Sequence, residues 1–157
     1  MVINLSLVVL AYFFMEFVAW SNHKYIMHGF LWNWHKDHHR KDNMQGLPQK
    51  TEDKRFEKND LFFLVYALPA MVLMVIGFSI HYFPIVFISI GITLYGLTYF
   101  AIHDIIIHNR LKMPFSKQHH FFIDAIVRAH TAHHKPKNKD DFNNFGLLVF
   151  SRRFFKP

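Results

Sequence analysis

The chain has 157 residues, enough for one domain, spanning 1–157. Its 52% apolar and 18% aromatic content, with nineteen Phe, exceeds what a soluble core of this size requires and points to lipid or a large apolar ligand. There is no Cys, which excludes disulfides, zinc–thiolate sites and Cys-held iron–sulfur clusters; the net charge of +7 fits a membrane surface or an acidic partner better than nucleic acid, given the apolar runs.

The first such run is Val2 to Trp20, with Glu16 its only charge. It lacks a basic leading segment and a small-residue cleavage site, so it is expected to be a retained span. From Leu61 to Ile102 no Asp, Glu, Lys or Arg occurs, 42 residues in a row. A span needs about 20 apolar residues, so this run holds two, broken at His81-Tyr82-Phe83-Pro84. Helix 2 is expected from about Asp60 to His81, N-capped by Asn59-Asp60, and helix 3 from about Pro84 to His108. All 18 Lys and Arg lie in the segments that three spans place on one side, and the positive-inside rule makes that side cytoplasmic. Lys117 to His134 predicts a fourth, interfacial helix. The tail from Phe145 to Phe155 is either an interfacial anchor or a short packed hairpin or strand. The fold class is therefore all-α: an integral membrane helical bundle with about three transmembrane helices, an interfacial C-terminal helix and a histidine-rich di-metal site at the cytoplasmic end.

Ten of the thirteen histidines form two copies of one pattern. The first is His23-x4-His28 followed by His35-x2-His38-His39. The second is His103-x4-His108 followed by His130-x2-His133-His134. The triples at i, i+3 and i+4 each put three imidazoles on one helix face. Residues five apart on a regular helix are about 140° apart, so each x4 pair flanks a site, or serves two metals, near a helix end. A lone histidine is more often a surface or capping residue; two matched sets on one side of the membrane indicate a nitrogen-rich, multi-metal centre. Imidazole suits Zn, Cu, Fe and Ni alike. His81 falls on the opposite side, and His119 and His120 are expected at the surface.

Neither His-Glu-x-x-His nor Glu-x-x-His occurs, against a zinc-protease helix and a carboxylate di-iron bundle. Asp37 and Asp104 either orient an imidazole or form surface ion pairs. Glu16 lies on the helix stripe of Trp20 and His23; a structural or orienting role is favoured for it over ligation. Gly96, under Tyr99 and His103, either admits close approach of a helix or substrate or is ordinary packing.

The stretches His23-Lys24-Tyr25-Ile26-Met27-His28-Gly29, Trp32-Asn33-Trp34-His35-Lys36-Asp37-His38-His39, Asn59-Asp60-Leu61, Tyr95-Gly96-Leu97-Thr98-Tyr99-Phe100, His103-Asp104, Ala129-His130-Thr131-Ala132-His133-His134 and Phe145-Gly146 resemble the bacterial β-carotene hydroxylases of the membrane fatty-acid hydroxylase superfamily. The resemblance covers nearly the whole chain. It implies that His23, His28, His35, His38, His39, His103, His108, His130, His133 and His134 hold two Fe ions, with zinc able to replace them on isolation. It implies O2 as co-substrate, electrons from a ferredoxin-type donor, and hydroxylation at C3 of β-ionone rings, from β-carotene through β-cryptoxanthin to zeaxanthin. It places the chain in the bacterial inner membrane, multi-pass, with the active site facing the cytoplasm. Trp20, Met27, Phe30, Trp32, Tyr99 and Phe100 are candidates to line an apolar substrate slot. The boxes build the oxidant and not the slot, so a fatty-acyl or sterol-type hydroxylase or desaturase, or a carotenoid ketolase, fits the same centre. A non-enzymatic metal carrier fits less well, because the ligands cluster on one side and do not line a path across the membrane.

Overall fold

A computed structural model describes residues 2–36, 38–39, 57–108, 110, 120–136 and 143–156. Among these the chain is helical, with no strand. Helix α1 (Val2–Ser21) runs into a π-helical segment, Asn22–Phe30, followed by the short α2 (Trp32–His35). A 3-10 turn, Lys58–Phe63, leads into α3 (Leu64–Ser79). Helix α4 (Phe83–Tyr99) continues as a second π-helical segment, Phe100–Ile107, and α5 (Phe121–His134) precedes a terminal 3-10 turn, Arg152–Phe155.

Three continuous helical stretches are long and apolar enough to cross a membrane: Ile3–Phe30, Lys58–Ser79 and Phe83–Ile107. Their bounds lie within about two residues of the expected helices 2 and 3. The turn between α3 and α4 is made by His81, with φ of 53°, and by Pro84, which sits in the first turn of α4 where its missing N–H leaves no bond broken. Pro69 lies inside α3, which continues past it. The cap of helix 2 differs from expectation. Glu57, not Asn59, is the capping residue, and Asp60 Oδ2 accepts from the Glu57 N–H at 2.9 Å in a reciprocal box. Asn59 is drawn away because its amide is buried against His35.

Helix α4 packs against both α1 and α3. The tightest approach is at Gly91, where a Cβ would stand 2.5 Å from the Val8 carbonyl oxygen and 2.8 Å from Ala11 Cβ. Gly96 is looser: a Cβ there would meet Tyr66 Cβ at 3.4 Å, ordinary contact. Met15, Ala19, Tyr66, Ala70, Ile92 and Tyr95 form the core between the three spans. The outward faces expose Leu10, Phe13, Phe14, Phe17, Leu68, Met71, Val72 and Val75, a continuous apolar exterior suited to lipid and not to water.

Helix α5 begins at Phe121, later than the expected Lys117; His120 caps it, and residues 117–119, including His119, lie outside the described residues. Its 14 residues reach about 21 Å, too short to span. It packs on the end of the bundle through Ile126, which joins Ile102, Ile107 and Leu147 in a second core. The tail is folded back onto this end and not paired as a strand. Arg128 Nε donates to the Phe154 carbonyl at 2.8 Å, and Phe150 packs on Phe122 and Phe155.

Candidate metal centre

The two π-helical segments place the x4 pairs. With i→i+5 bonding, residues five apart sit one above the other, which regular α geometry does not allow. The His108 N–H donates to the His103 carbonyl at 3.0 Å, an i→i+5 bond at the pair itself. In the first segment Leu31 N–H reaches Ile26 O at 3.0 Å, and the segment is kinked near its end at Gly29, whose φ/ψ of −96°/−122° is non-helical. His23 and His28 thus serve one site, with ring centroids 5.1 Å apart. Helix α2 and the turn after it bring in His35, His38 and His39, and α5 brings His130, His133 and His134 on one face.

All ten histidines converge, in two adjoining groups. His23, His28, His35, His39 and His133 have ligand atoms within 4.8 Å of one another; so do His38, His108, His130 and His134. His103 joins the second group, its Nε2 3.1 Å from His38 Nε2. His39 stands between them: its Nε2 is 3.0 Å from His35 Nε2 and 3.1 Å from His28 Nε2, while its ring stacks on His134 at 4.3 Å.

The outward ring nitrogens show which inward nitrogens carry lone pairs. His23 Nδ1 lies 2.9 Å from the Phe145 carbonyl oxygen, His133 Nδ1 2.7 Å from the Asn143 carbonyl oxygen, and His35 Nδ1 2.7 Å from Asn59 Oδ1. His38 Nδ1 meets Glu57 Oε2, and His103 Nδ1 meets Asp104 Oδ2, each at 3.3 Å. These oxygens only accept, so each Nδ1 donates and each Nε2 of a neutral ring is left with its lone pair. Yet His23 and His35 point their Nε2 atoms at each other at 3.0 Å, and His38 and His103 do so at 3.1 Å. Facing lone pairs repel unless a cation lies among them. His134 gives a second sign: both its ring nitrogens are buried and make no hydrogen bond among the described residues. A metal in each group would engage the facing Nε2 atoms and one of the two His134 nitrogens.

Protonation does not offer an alternative. Burial, then neighbouring imidazoles, holds His38, His130 and His134 well below the ordinary histidine range. His35 is held low by burial despite its bond to Asn59. Burial lowers His133 to about 4, opposed by the Asn143 carbonyl. Neutral rings are what metal binding requires.

Glu16 is buried in the membrane segment and does not reach the histidines. Tyr95 Oη donates to it at 2.7 Å, and the N–H groups of Leu148 and Val149 each donate at 2.9 Å. It ties the tail to the spans, and the tail carbonyls of Asn143 and Phe145 in turn hold His133 and His23. Asp104 contacts His103; Asp37 lies outside the described residues. His120 and His81 are exposed and are not among the converging histidines. Of the slot candidates, Tyr99 stacks on His103 at 4.7 Å, and Trp32 packs on His28 at 5.2 Å and His39 at 5.5 Å. Met27 is buried; Trp20 lines an apolar groove of about 470 Å³ with Phe13, Phe17 and Val149; Phe30 and Phe100 are exposed. A second groove, about 510 Å³, runs between α3 and α4 past Tyr66, Ala70 and Gly96.

Sequence reasoning missed Glu57, Asn59, Arg110, Asn143 and Phe145 as partners of the centre. Asn59 and Phe145 stood in conspicuous stretches, but nothing local signals the imidazole each one meets.

The fatty acid hydroxylase family profile matches residues 8–156. A protein from Paracoccus sp. (strain PC1) named beta-carotene hydroxylase is 35% identical over 136 residues, covering 85% of this chain and 76% of that one. One of the same name from Pseudescherichia vulneris is 34% identical over 94% of this chain and 77% of its own. Another from Pantoea ananas is 36% identical over 85% of this chain and 70% of its own. No solved structure matches the chain.

Proposed function

The chain belongs to the fatty acid hydroxylase family, and from that premise we propose that it is a β-carotene 3-hydroxylase: it takes β-carotene through β-cryptoxanthin to zeaxanthin. The observation that carries the chemistry is the convergence of ten imidazoles into two groups whose lone pairs face one another. The substrate assignment rests on the names of the relatives and on the apolar, membrane-fitting exterior.

His23, His28, His35, His39 and His133 would hold one iron, and His38, His103, His108, His130 and His134 the other. Acid–base groups alone do not hydroxylate an unactivated C–H bond; two irons with O2 and two electrons supply that reactivity when bound. The protein's own part is to hold the rings. The carbonyls of Phe145 and Asn143, the Asn59 amide, and the carboxylates of Glu57 and Asp104 fix which nitrogen of five imidazoles faces inward. Tyr99 and Trp32, packed on the cluster, shield it from water and present apolar surface to a ring rising from the bilayer.

In this reading the chain sits in the bacterial inner membrane with the histidines at the cytoplasmic face, because the basic residues share their side. A ferredoxin-type donor, commonly acidic, would dock on that basic face.

The test is pigment chromatography of β-carotene-accumulating bacteria expressing the chain beside a His38→Ala control. Zeaxanthin or β-cryptoxanthin only with the wild type supports the assignment. Unchanged β-carotene with well-expressed, metal-loaded protein overturns it and turns attention to acyl and sterol-type substrates.

A further inference from the structure

The outer contacts of the two histidine groups differ in charge. In the first group those of His23, His133 and His35 among the described residues are neutral: two backbone carbonyls and one amide. In the second they are the carboxylates of Glu57 and Asp104. These carboxylates come from segments far apart in sequence, one before α3 and one in the π-helical segment that follows α4, and a single side chain joins them. Arg110 Nη2 lies 3.3 Å from Glu57 Oε2; its Nη1 lies 2.5 Å from Asp60 Oδ1 and 3.4 Å from Asp104 Oδ1. All four side chains are between 13% and 25% exposed, so the ring is screened by little water.

We propose that Arg110 is a positioning residue for the second metal position alone, a clamp that holds Glu57 and Asp104 in register with His38 and His103 and leaves the two positions chemically unequal. Three carboxylates in one half-buried patch repel one another. A planar guanidinium with five fixed donors engages all three at once, and a lysine ammonium does not reproduce that fork. Remove it, and Glu57 and Asp104 separate, taking the acceptors of His38 Nδ1 and His103 Nδ1 with them. The inward nitrogens of those rings, now 3.1 Å apart, lose their aim. Three carboxylates against one guanidinium also leave the outer ring anionic, which strengthens electron donation by His38 and His103. Nothing comparable backs His23, His35 or His133 among the described residues. The inference rests on the two-metal reading of the cluster but not on any substrate.

The experiment titrates purified, metal-free full-length protein with ferrous iron under argon, reading metal per chain by elemental analysis and each ion by Mössbauer spectroscopy. Arg110→Met should bind the second ion about 10–100-fold more weakly, the range for loss of an outer-shell partner. The ion it keeps should show the spectrum of the single ion kept by His108→Ala, in which only the second group is broken. Arg110→Lys should fall between Arg110→Met and the wild type. Circular dichroism checks that each variant folds. If Arg110→Met fails to fold, Asp104→Asn serves, and should weaken the same ion by a smaller factor. Wild-type affinity for both ions, or parallel loss of both, overturns the clamp. A wild type that binds fewer than two ions overturns the two-metal reading and the clamp with it.

Discussion

The two histidine groups are built from the same pattern, yet they are held differently. The first leans on the chain itself: Phe145 and Asn143 offer backbone carbonyls, so the tail must be folded back for His23 and His133 to be aimed. The second leans on side chains drawn together by Arg110 near the ends of α3 and α4. The repeated sequence pattern sets which rings converge. It does not set what holds them, because an imidazole's second nitrogen accepts any oxygen the fold delivers. Two copies of one motif have therefore acquired unequal surroundings, and each can be disturbed without the other.

The largest expected effect erases the distinction. His39 touches His28 and His35 on one side and stacks on His134 on the other. His39→Ala should lower iron binding in both groups and bring hydroxylated pigment below detection, as measured by metal analysis and chromatography on the same preparation. An effect confined to one ion would show that the border between the groups lies elsewhere.

Next in size is Glu16→Leu. It leaves the Tyr95 hydroxyl and the Leu148 and Val149 N–H groups unpaired where no water replaces them, at about 1–3 kcal/mol for each buried group. The tail should loosen, and limited proteolysis should cut it faster. Iron should weaken in the first group, which the tail aims, before the second. Glu16→Gln keeps the shape and loses the charge-assisted part, so it should do the same to a lesser degree.

Asn59→Leu is narrower still. It removes the acceptor of His35 Nδ1 at near-constant volume, and the expected loss is about 10–100-fold in affinity for the first ion. The second ion should keep its Mössbauer signal, mirroring the outcome for Arg110→Met.

The sequence made the spans and the ten histidines legible for separable reasons. A 42-residue run without charge has few folds open to it, and the i, i+3, i+4 spacing places the second triple on one face of α5, while the first runs from the end of α2 into the turn after it. The x4 pairs were less legible because α geometry sets them about 140° apart, and only the π-helical segments align them. Asn59 has the profile of a helix cap, and a cap was expected of it; burial against His35 redirected its amide, and Glu57 took the cap. Arg110 reaches Glu57 and Asp60 across about fifty residues of chain, and the carbonyls of Asn143 and Phe145 carry no side-chain signature at all. What sequence pattern conveys is local geometry and polarity; apart from Asp104 beside His103, the outer contacts described for this centre are long-range or backbone-borne.

The smallest expected effect tests the tail from its own side. A Cβ on Gly146 would stand 2.6 Å from Glu16 Oε1 and 3.0 Å from the Val149 carbonyl oxygen. A long carboxylate side chain would ordinarily swing aside at little cost. Glu16 is pinned by the Tyr95 hydroxyl and two backbone N–H groups, so it yields only by lengthening those bonds. Gly146→Ala should therefore destabilise the tail by about 1–3 kcal/mol, the usual range for overpacking, without removing any partner. Phe145, one residue away, holds His23, so the first ion should be released sooner on warming while the second is unchanged. Thermal release curves for the two ions, followed by their separate spectra, check this. If the curves shift together, the tail supports the whole end of the bundle and the unequal holding of the two groups does not extend to their stability.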